Sequence, residues 1–357
     1  MNANHWASFA QADATVTPIR SQSRSPSLAV VIPCYRSGEG VLSLIERIGP
    51  EVGWIVVVDD ACPLKTGHLV QERCTDPRVQ VIFHAQNQGV GGAMVSGYKA
   101  ALKTPAQVVV KLDSDGQMDP ALIPRLARSV LAGQADYSKG NRFFQVADVR
   151  NMPRLRLLGN AVLSFLSKLS TGYWQLFDPT NGFTAIHRRT LAALPLDHLS
   201  PRYFFESDLL FRLGQLRAVV RELPMVSVYA GEPSSLSPLA QIRPFLRGHA
   251  LNFCKRLIYD YLLRGFSVAS IQLIWGLLLL SGGTVFGLLQ WIGHVRAGVP
   301  ASAGTVMLAA LPVLVGVQCL LAWLAHDMAN DPRTPFQLSA ADAQPEDGSD
   351  QPVPGPC

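Results

Sequence analysis

Two carboxylates one residue apart are the side chains of this chain best suited to chemistry. Asp113 and Asp115 lie in Lys111–Gln117 (KLDSDGQ), directly after the apolar run Val108–Val110. That β-branched run predicts a buried parallel strand, and open α/β sheets bind ligands beyond the carboxyl ends of their strands. Carboxylate and amide oxygens suit Mg²⁺ or Mn²⁺, which proteins bind with few groups plus substrate phosphates. The segment therefore predicts a divalent cation presented to a diphosphate.

Two other interpretations compete with a cation site. Segments rich in Asp and Gly commonly form surface turns, and on these residues alone that interpretation stays open. An EF-hand loop beginning at Asp113 is excluded by its spacing. Glycine falls at the fourth position, Gly116, and Pro124 stands where the bidentate glutamate is needed.

Polar and aromatic residues also follow two earlier predicted strands. Pro33 and Tyr35 come after the first, and Asp59 and Asp60 come after the second. An aromatic ring can pack against a base, and a carboxylate can accept hydrogen bonds from a base or from ribose hydroxyls. The alternative for the two aspartates is a helix cap or a turn, where Asp is favoured.

A glycine-rich segment, Asn87–Ala93 (NQGVGGA), follows the third predicted strand. Its glycines, including Gly91, permit close backbone approach, and the N-terminus of a following helix favours phosphate. A dinucleotide fingerprint beginning at Gly89 is disfavoured. Met94 occupies its last glycine position, and the segment does not follow the first strand of the domain.

Strand and helix patterns alternate through the first half of the chain, which predicts a parallel sheet covered on both faces. The predicted strands are Leu28–Ile32, Trp54–Val58, Val79–Phe83 and Gln107–Leu112, and the predicted helices are Val41–Ile48, Leu64–Cys74, Gly92–Leu102, Pro120–Leu131 and Arg156–Leu169.

Two long apolar runs lie near the C-terminus. Val268–Ile292 and Thr305–Leu324 contain no formally charged residue, and each reaches the roughly 18 to 20 residues that cross a bilayer. The mean hydropathy of the chain, +0.19, is high because of them. A buried hairpin in a soluble core is the alternative. The runs predict two transmembrane helices within residues 266–326.

Basic residues predict the orientation of these spans. Lys255, Arg256 and Arg264 precede the first span closely, whereas the loop between the spans carries only Arg296 as a full positive charge. The positive-inside rule therefore places the N-terminal region and the tail on the cytoplasmic side of the membrane. Residues 238–265 alternate apolar and basic side chains, a pattern typical of interfacial amphipathic helices or, alternatively, of a solvated basic helix face.

The remaining composition sets further bounds on the 357-residue chain. Residues 1–27 have no apolar core of a signal peptide and, like residues 327–357, are predicted to be disordered. Six scattered cysteines without a C-x-x-C pair favour a reducing compartment over zinc or disulfides. The net charge of +5 does not indicate nucleic-acid binding.

Six motifs occur in the order found in inverting family-2 glycosyltransferases of GT-A fold: VVIPCYR, VVVDDACP, NQGVGGA, KLDSDGQMDP, GNRF and DPTNGF. The chain resembles more narrowly the polyprenyl-phosphate branch, which includes dolichol-phosphate mannose synthase and bacterial undecaprenyl-phosphate glycosyltransferases. The resemblance covers about Leu28 to Phe253. It implies a GT-A domain with a doubly wound, mostly parallel sheet over residues 28–237, followed by interfacial helices and two spans.

The resemblance implies a role for each motif residue. The metal ligands are expected to be Asp113, Asp115 and Gln117. The nucleotide-sugar pocket is expected to contain Pro33, Tyr35, Asp59, Asp60, Asn87, Gly91 and Asp113. The acceptor phosphate is expected to contact Arg142, Arg156 and Asn160, and the residues most directly tied to catalysis are expected to be Asp115, Arg142 and Asp178. Asp178, like Glu206 and Asp208, is assigned to sugar or acceptor positioning, with a cap or structural ion pair as the alternative.

One motif departs from the family. Its G-x-S-K-L loop reads Gly231–Leu236 (GEPSSL) here, without the lysine. A cationic contact is therefore missing or supplied from elsewhere, for which Arg243 and Arg247 are candidates.

The resemblance implies hexosyl transfer from a UDP- or GDP-linked sugar, with Mg²⁺ or Mn²⁺, to a polyprenyl phosphate at the cytoplasmic membrane. One alternative is a family-2 enzyme that extends a glycolipid or polysaccharide. Another is a catalytically inactive, membrane-anchored binding protein. The sugar, the nucleotide and whether the chain forms a homo-oligomer stay open.

Overall fold

A single mixed sheet forms the body of the molecule. The computed structural model describes residues 27–143, 154–225 and 238–342. Its sheet has seven strands in the order β3-β2-β1-β4-β6-β5-β7. The strands are β1 (Leu28–Cys34), β2 (Val52–Asp59), β3 (Val79–Phe83), β4 (Val108–Lys111), β5 (Tyr137–Asn141), β6 (Thr184–His187) and β7 (Val220–Pro224). All neighbouring pairs are parallel except those of β6, which runs antiparallel to both β4 and β5.

The central strands form where the chain is richest in Val and Ile. Every residue of β1 and of β4 is buried, as expected for parallel strands covered on both faces. Because β1, β2 and β4 are parallel neighbours, their carboxyl ends meet at one edge of the sheet. The segments that follow these strands, with Tyr35, Asp60 and Asp113, therefore lie at that edge.

Helices cover both faces, as predicted. The helices are α1 (Gly40–Glu46), α2 (Thr66–Arg73), α3 (Gly89–Ala101), α4 (Ile123–Leu131), α5 (Arg154–Thr171), α6 (Arg188–Ala193) and α7 (Phe205–Gln215). One core lies between the sheet and α1 with α4, and the other lies between the sheet and α3 with α7. The buried Lys111 and Lys139, described below, lie on the sheet face toward α3 and α7.

The insertion of β6 brings four polar side chains into register. Lys111 pairs with Thr184, Thr184 pairs with Lys139, and Lys139 pairs with Glu222. Paired residues in adjacent strands point to the same face of a sheet. We call these four residues the polar row.

Two long apolar helices follow the sheet domain. They are α9 (Val268–Ala297) and α10 (Ala303–Ala329), preceded by α8 (Pro238–Ile258) and a π-helical turn over Tyr259–Arg264. Only 17% and 6% of their most apolar windows are buried. A helix at the core of a soluble domain would be mostly covered, so the exposed apolar surface indicates membrane association instead.

The chain beyond the second span differs from its prediction. Residues 327–357 were expected to be disordered, yet α10 continues to Ala329 and α11 (Phe336–Asp342) packs on the sheet domain. The main-chain amides of Phe336 and Gln337 donate to the Asp136 carboxylate over 2.7 and 2.8 Å. This carboxylate lies 200 residues earlier, which is why local composition does not reveal the contact. Residues 1–26 and 343–357 lie outside the described residues.

Candidate active site

The segment after β4 divides its two carboxylates between the interior and the surface. Asp113 accepts from the Lys111 ammonium over 2.9 Å, and Glu206 on α7 accepts from the same Nζ over 2.9 Å. Lys111 is 2% exposed. Burial alone would lower the pKa of Lys111, but the attraction of Asp113 and Glu206 outweighs burial and raises it. A permanent ammonium therefore lies beneath Asp113.

Asp115 lies at the solvent-facing side of the same segment. Its side chain is exposed, and its Oδ1 accepts from the Gln117 amide over 3.0 Å. Among the described residues no group of three or more His, Cys, Asp and Glu could bind a metal ion by itself. Two carboxylates with the Gln117 amide suit a hard cation that takes its remaining ligands from a substrate diphosphate. The expected donor set of Asp113, Asp115 and Gln117 therefore fits such an ion.

Arg142 and Asp178 form a bidentate ion pair at the same edge. Nε and Nη2 of Arg142 donate to the two carboxylate oxygens over 2.8 and 2.9 Å. Asp178 is 0% exposed, whereas the Arg142 side chain is 28% exposed. The arginine thus reaches the surface from a buried carboxylate, and the ion-pair alternative for Asp178 is the one that the structure shows.

Glu222 of the polar row positions this pair. Its Oε1 accepts from the amides of Phe177 and Asp178, each over 2.9 Å, and its Oε2 accepts from Asn141 Nδ2 over 2.8 Å. One half-buried carboxylate therefore fixes the backbone on both sides of the Arg142–Asp178 pair.

The segment that begins at Asp178 also reaches the Asp113 side of the site. A Cβ on Gly182 would lie 2.3 Å from Asp113 Oδ2 and 2.5 Å from Lys111 Nζ. Only glycine permits this approach. The D-x-D segment and the Arg142–Asp178 pair are therefore two sides of one site.

Asp59 and Asp60 have structural roles. Asp59 accepts from the amides of Cys62 and Gly67 over 2.7 and 2.6 Å, which places its carboxylate at the N-terminus of α2. Asp60 accepts from His84 Nδ1 over 2.7 Å and from the amides of Gln88 and Gly89, each over 2.8 Å. Both side chains are buried. Hydrogen bonds to the base or ribose are thus not needed to satisfy them, and the cap alternative is correct for Asp59.

The glycine-rich segment packs on protein backbone. A Cβ on Gly91 would lie 2.0 Å from the Ser200 carbonyl oxygen, and the Gly92 amide donates to the Pro201 carbonyl over 3.0 Å. Asn87 donates to the Asp60 carbonyl over 3.2 Å. The amides of Gln88, Gly89 and Gly92 are thus taken by protein groups, and a phosphate at the start of α3 stays a prediction.

Tyr35 remains the best candidate for stacking on a base. Pro33 is buried within β1, whereas Tyr35 is 47% exposed just beyond its end. The Arg36 guanidinium lies 5.4 Å from the tyrosine ring centroid. An exposed ring with a neighbouring cation can receive a nucleotide base.

The predicted acceptor residues are only partly covered by the structure. Asn160 is half-buried on α5, and the side chain of Arg156 on the same helix is outside the described residues, as is the whole Gly231–Leu236 loop. Arg243 and Arg247 are exposed on α8. Asp208 bonds to the Ser200 amide, Arg212 and Asn252, so its role is to fasten α7 to its neighbours.

Sequence reasoning missed the buried lysines and Glu222. Lys111 ends the apolar run of β4, and that charge was the available signal. Lys139 lies in the polar sequence YSKGN of β5, which offered no comparable signal. Glu222 left no such signal, because β7 is only partly buried and its partners lie more than 40 residues away.

The chain is similar to several known proteins. The profile described as "Glycosyl transferase family 2" matches residues 29–194. Undecaprenyl-phosphate mannosyltransferase of Micrococcus luteus is 31% identical over 202 residues, which cover 56% of this chain and 82% of that protein. Dolichol-phosphate mannosyltransferase of Pyrococcus furiosus is 28% identical over 184 residues, covering 50% of this chain and 51% of that protein. Glucosyl-3-phosphoglycerate synthase of Mycobacterium tuberculosis, solved with Mn²⁺ and UDP-glucose, shares 20% identity with a TM-score of 0.48, over 65% of this chain and 80% of that one.

These matches define the class of protein. The chain belongs to glycosyl transferase family 2. It is a glycosyltransferase, and its seven-stranded mixed sheet is of the GT-A type that the motifs implied.

Proposed function

We propose that this protein transfers a hexosyl group from a nucleotide-diphosphate sugar to a polyprenyl phosphate at the cytoplasmic face of a membrane. The observation that carries the proposal is the joining of two features in one chain. A D-x-D segment lies beside a surface arginine at the carboxyl edge of a GT-A sheet, and two exposed apolar helices follow that domain.

The lipid acceptor is supported by the helices and by the relatives. A polyprenyl chain stays in the bilayer while its phosphate reaches the protein, and an enzyme anchored at the surface meets that phosphate without extracting the lipid. The basic residues before α9 favour the cytoplasmic side, where nucleotide sugars are made. The names of the Micrococcus and Pyrococcus relatives specify an undecaprenyl- or dolichol-phosphate acceptor for those proteins.

The chemistry requires little acid–base assistance from the protein. A phosphate monoester has a second pKa of about 6 and is ionised near neutral pH. It can therefore attack the anomeric carbon without a dedicated base. Arg142 would orient a phosphate through its fork of N–H donors, and Asp178, fixed by Glu222, would set the direction of that fork.

A divalent cation at Asp113, Asp115 and Gln117 would neutralise charge on the leaving nucleoside diphosphate. The Lys111 ammonium, 2.9 Å from Asp113, fixes the direction of that carboxylate beneath the proposed cation. Tyr35 would cover the base at the neighbouring strand end.

The transfer is tested with purified full-length protein, radiolabelled UDP- and GDP-linked hexoses, undecaprenyl phosphate and either Mg²⁺ or Mn²⁺. We expect a chloroform-soluble, mild-acid-labile product whose mass is that of the lipid phosphate plus one hexose. A product that resists mild acid indicates extension of a glycolipid instead. No product with any common donor contradicts the proposed transfer.

The cation site is tested by Asp115→Ala. This change removes an exposed carboxylate, so we expect normal folding, turnover reduced to background, and loss of the Mn²⁺ dependence of UDP or GDP binding in calorimetry. Asp197→Asn is the matched control, since Asp197 is an exposed carboxylate paired with Lys99 away from the site. Wild-type turnover in Asp115→Ala would rule out the metal assignment.

A further inference from the structure

Lys139 is a buried cation that the structure leaves without a hydrogen-bond partner. The side chain is 0% exposed, and within the described residues its Nζ has no acceptor in reach. Lys111, two strands away in the polar row, is also buried but donates to two carboxylates. In the same row, Lys111 is therefore a buried cation with two carboxylate partners, and Lys139 is a buried cation with none.

The carboxylates facing Lys139 are already occupied. Asp178, Glu222 and Glu206 are the acidic groups that attract its ammonium, and Arg142 is the cation that repels it. Asp178 is bound by Arg142, Glu206 by Lys111, and Glu222 by two amides and Asn141. Lys139 is thus a surplus cation beneath a complete set of ion pairs.

A surplus buried charge is costly. Removing an ammonium from water without a compensating partner is strongly unfavourable, and burial accordingly lowers the pKa of Lys139 to about 8. A methionine of similar length would avoid that cost. Features that reduce stability without improving packing or hydrogen bonding are found mostly at functional sites.

We propose that Lys139 is a positioning residue whose ammonium binds the Asp178 carboxylate when the Arg142 guanidinium turns toward a substrate phosphate. In the structure Arg142 uses two N–H groups on Asp178. Turning them to a phosphate would leave a carboxylate of 0% exposure without a cation, which would lower the phosphate affinity by at least about tenfold unless another cation replaces the guanidinium. The buried Lys139 ammonium is the cation that would replace the Arg142 guanidinium on Asp178.

This inference rests on the proposed function for the identity of the phosphate. Both the donor diphosphate and the lipid phosphate carry the chemistry that Arg142 recognises. The experiment therefore measures binding of UDP and GDP with Mn²⁺ and of undecaprenyl phosphate as separate arms, and it does not depend on turnover.

The test variant is Lys139→Met in the full-length protein. We expect its melting temperature to equal or exceed that of the wild type, because an uncompensated buried charge is removed. We expect the affinity for one of the two phosphate ligands to fall 10- to 100-fold and kcat to fall as well. The ligand whose affinity falls is the phosphate that Arg142 binds. Lys103→Met, at an exposed lysine after α3, should change neither property.

The pH dependence gives an independent readout. Phosphate ionisation is complete above pH 7, so wild-type affinity for that ligand should fall as pH rises through about 8 and Lys139 loses its proton. Lys139→Met should show no such fall over the same range.

The outcomes separate the two proposals. Equal binding by wild type and Lys139→Met in both arms, including no binding by either, contradicts the exchange. So does a lower melting temperature with unchanged affinities, because that pattern makes Lys139 a structural cation. Reduced binding in Lys139→Met together with no turnover by the wild type upholds the exchange and contradicts only the proposed transfer.

Discussion

At the scale of single residues, the site depends on the way buried charges are balanced. Lys111 lies 2.9 Å from both Asp113 and Glu206, and Asp178 is bound through both oxygens by Arg142. Each of these groups has a partner of opposite charge that the fold holds in place. Arg142 is thereby held at the edge of the sheet by the buried carboxylate beneath it.

The ion pairs of Lys111 with Asp113 and Glu206 lead to a stability prediction. Lys111→Met removes the one ammonium between Asp113 and Glu206 and leaves two facing carboxylates partly buried. Breaking a buried pair by removing one partner costs about 3 to 5 kcal/mol. We therefore expect a clear fall in the free energy of unfolding at pH 7, measured by denaturant titration in detergent.

The same variant has a pH signature. Asp113 and Glu206 raise the pKa of Lys111 against the effect of burial, so the ammonium contributes its full stabilisation below the ordinary lysine pKa of about 10.4 and loses it only above that value. The stability difference between Lys111→Met and the wild type should therefore stay constant between about pH 7 and pH 9. Lys103→Met serves as the exposed control, with an expected change within about 0.5 kcal/mol. An unchanged unfolding free energy in Lys111→Met would show that Asp113 and Glu206 are stabilised by other groups.

At the scale of elements, one buried carboxylate joins four parts of the fold. Asp136, just before β5, accepts from Thr190 Oγ1 on α6 and from the Val219 amide just before β7 over 3.2 and 2.8 Å. It also accepts from the amides of Phe336 and Gln337 at the start of α11. A short helix after the second span is therefore fastened to the back of the sheet through its N-terminal amides, which a carboxylate satisfies well.

Asp136→Ala tests this junction. The change leaves several buried donors unsatisfied, each costing about 1 to 3 kcal/mol, so we expect a loss of at least about 2 kcal/mol. We also expect α11 to detach, which exposes the chain at Arg333 to trypsin. The measurement is the rate of cleavage at Arg333 under native conditions. Asp197→Ala is the control, and equal cleavage rates in the two variants would mean that other contacts retain α11.

The elements that sequence analysis predicted are those with a local signal. β3 was expected at Val79–Phe83 and is found there, because apolar β-branched runs between turn residues need no distant partner to be recognised. The antiparallel β6 and the docked α11 were not predicted. Their positions depend on β4 and on Asp136, which lie far away in the chain.

The same distinction explains the site predictions. Asp113, Asp115 and Arg142 stand in motifs and lie together at the expected edge of the sheet. Asp59 and Asp60 are buried and satisfied by protein groups because their partners, the amides of Gly67 and of Gln88 and Gly89, are brought close only by folding. Lys139 and Glu222 become neighbours only through the register of β5 with β7, which the sequence does not specify locally.

At the scale of the whole molecule, a buried ion pair connects the sheet domain to the apolar helices. Arg256 on α8 donates to both oxygens of Asp327 on α10, over 2.7 and 3.0 Å. Its Nε also donates to the Leu169 carbonyl in the last turn of α5, and Trp174 Nε1 and the Tyr261 hydroxyl donate to Asp327. Four segments meet at this junction, beside a cavity of about 280 Å³.

Two further arginines strengthen the junction. Arg264 donates to the Gln215 carbonyl at the end of α7 over 2.6 Å, and Arg217 donates to the Asn330 carbonyl at the end of α10 over 3.1 Å. Cations at helix C-termini are favourable because of the helix dipole. The sheet domain is therefore tied to the two apolar helices at both ends of the junction.

Arg256→Leu tests how much of the molecule depends on this junction. The change leaves Asp327 as a buried carboxylate with neutral donors only, and we expect a loss of about 3 to 5 kcal/mol. Turnover should fall more than UDP or GDP binding. The reason is that the nucleotide pocket is formed within the sheet domain, whereas α5, which carries Asn160, is oriented through Leu169 at the junction. The measurements are thermal unfolding in detergent and the ratio of kcat to nucleotide affinity.

The double variant with Asp327→Leu distinguishes a charge effect from a packing effect. Replacing a whole buried ion pair by apolar side chains is often neutral, so the double variant should recover most of the stability lost in Arg256→Leu. Arg73→Ala, which breaks the exposed pair with Glu39, should cost within about 1 kcal/mol. If the double variant is as unstable as Arg256→Leu, then the hydrogen bonds of Trp174 and Tyr261 to Asp327, rather than its charge, join the catalytic domain to the membrane helices.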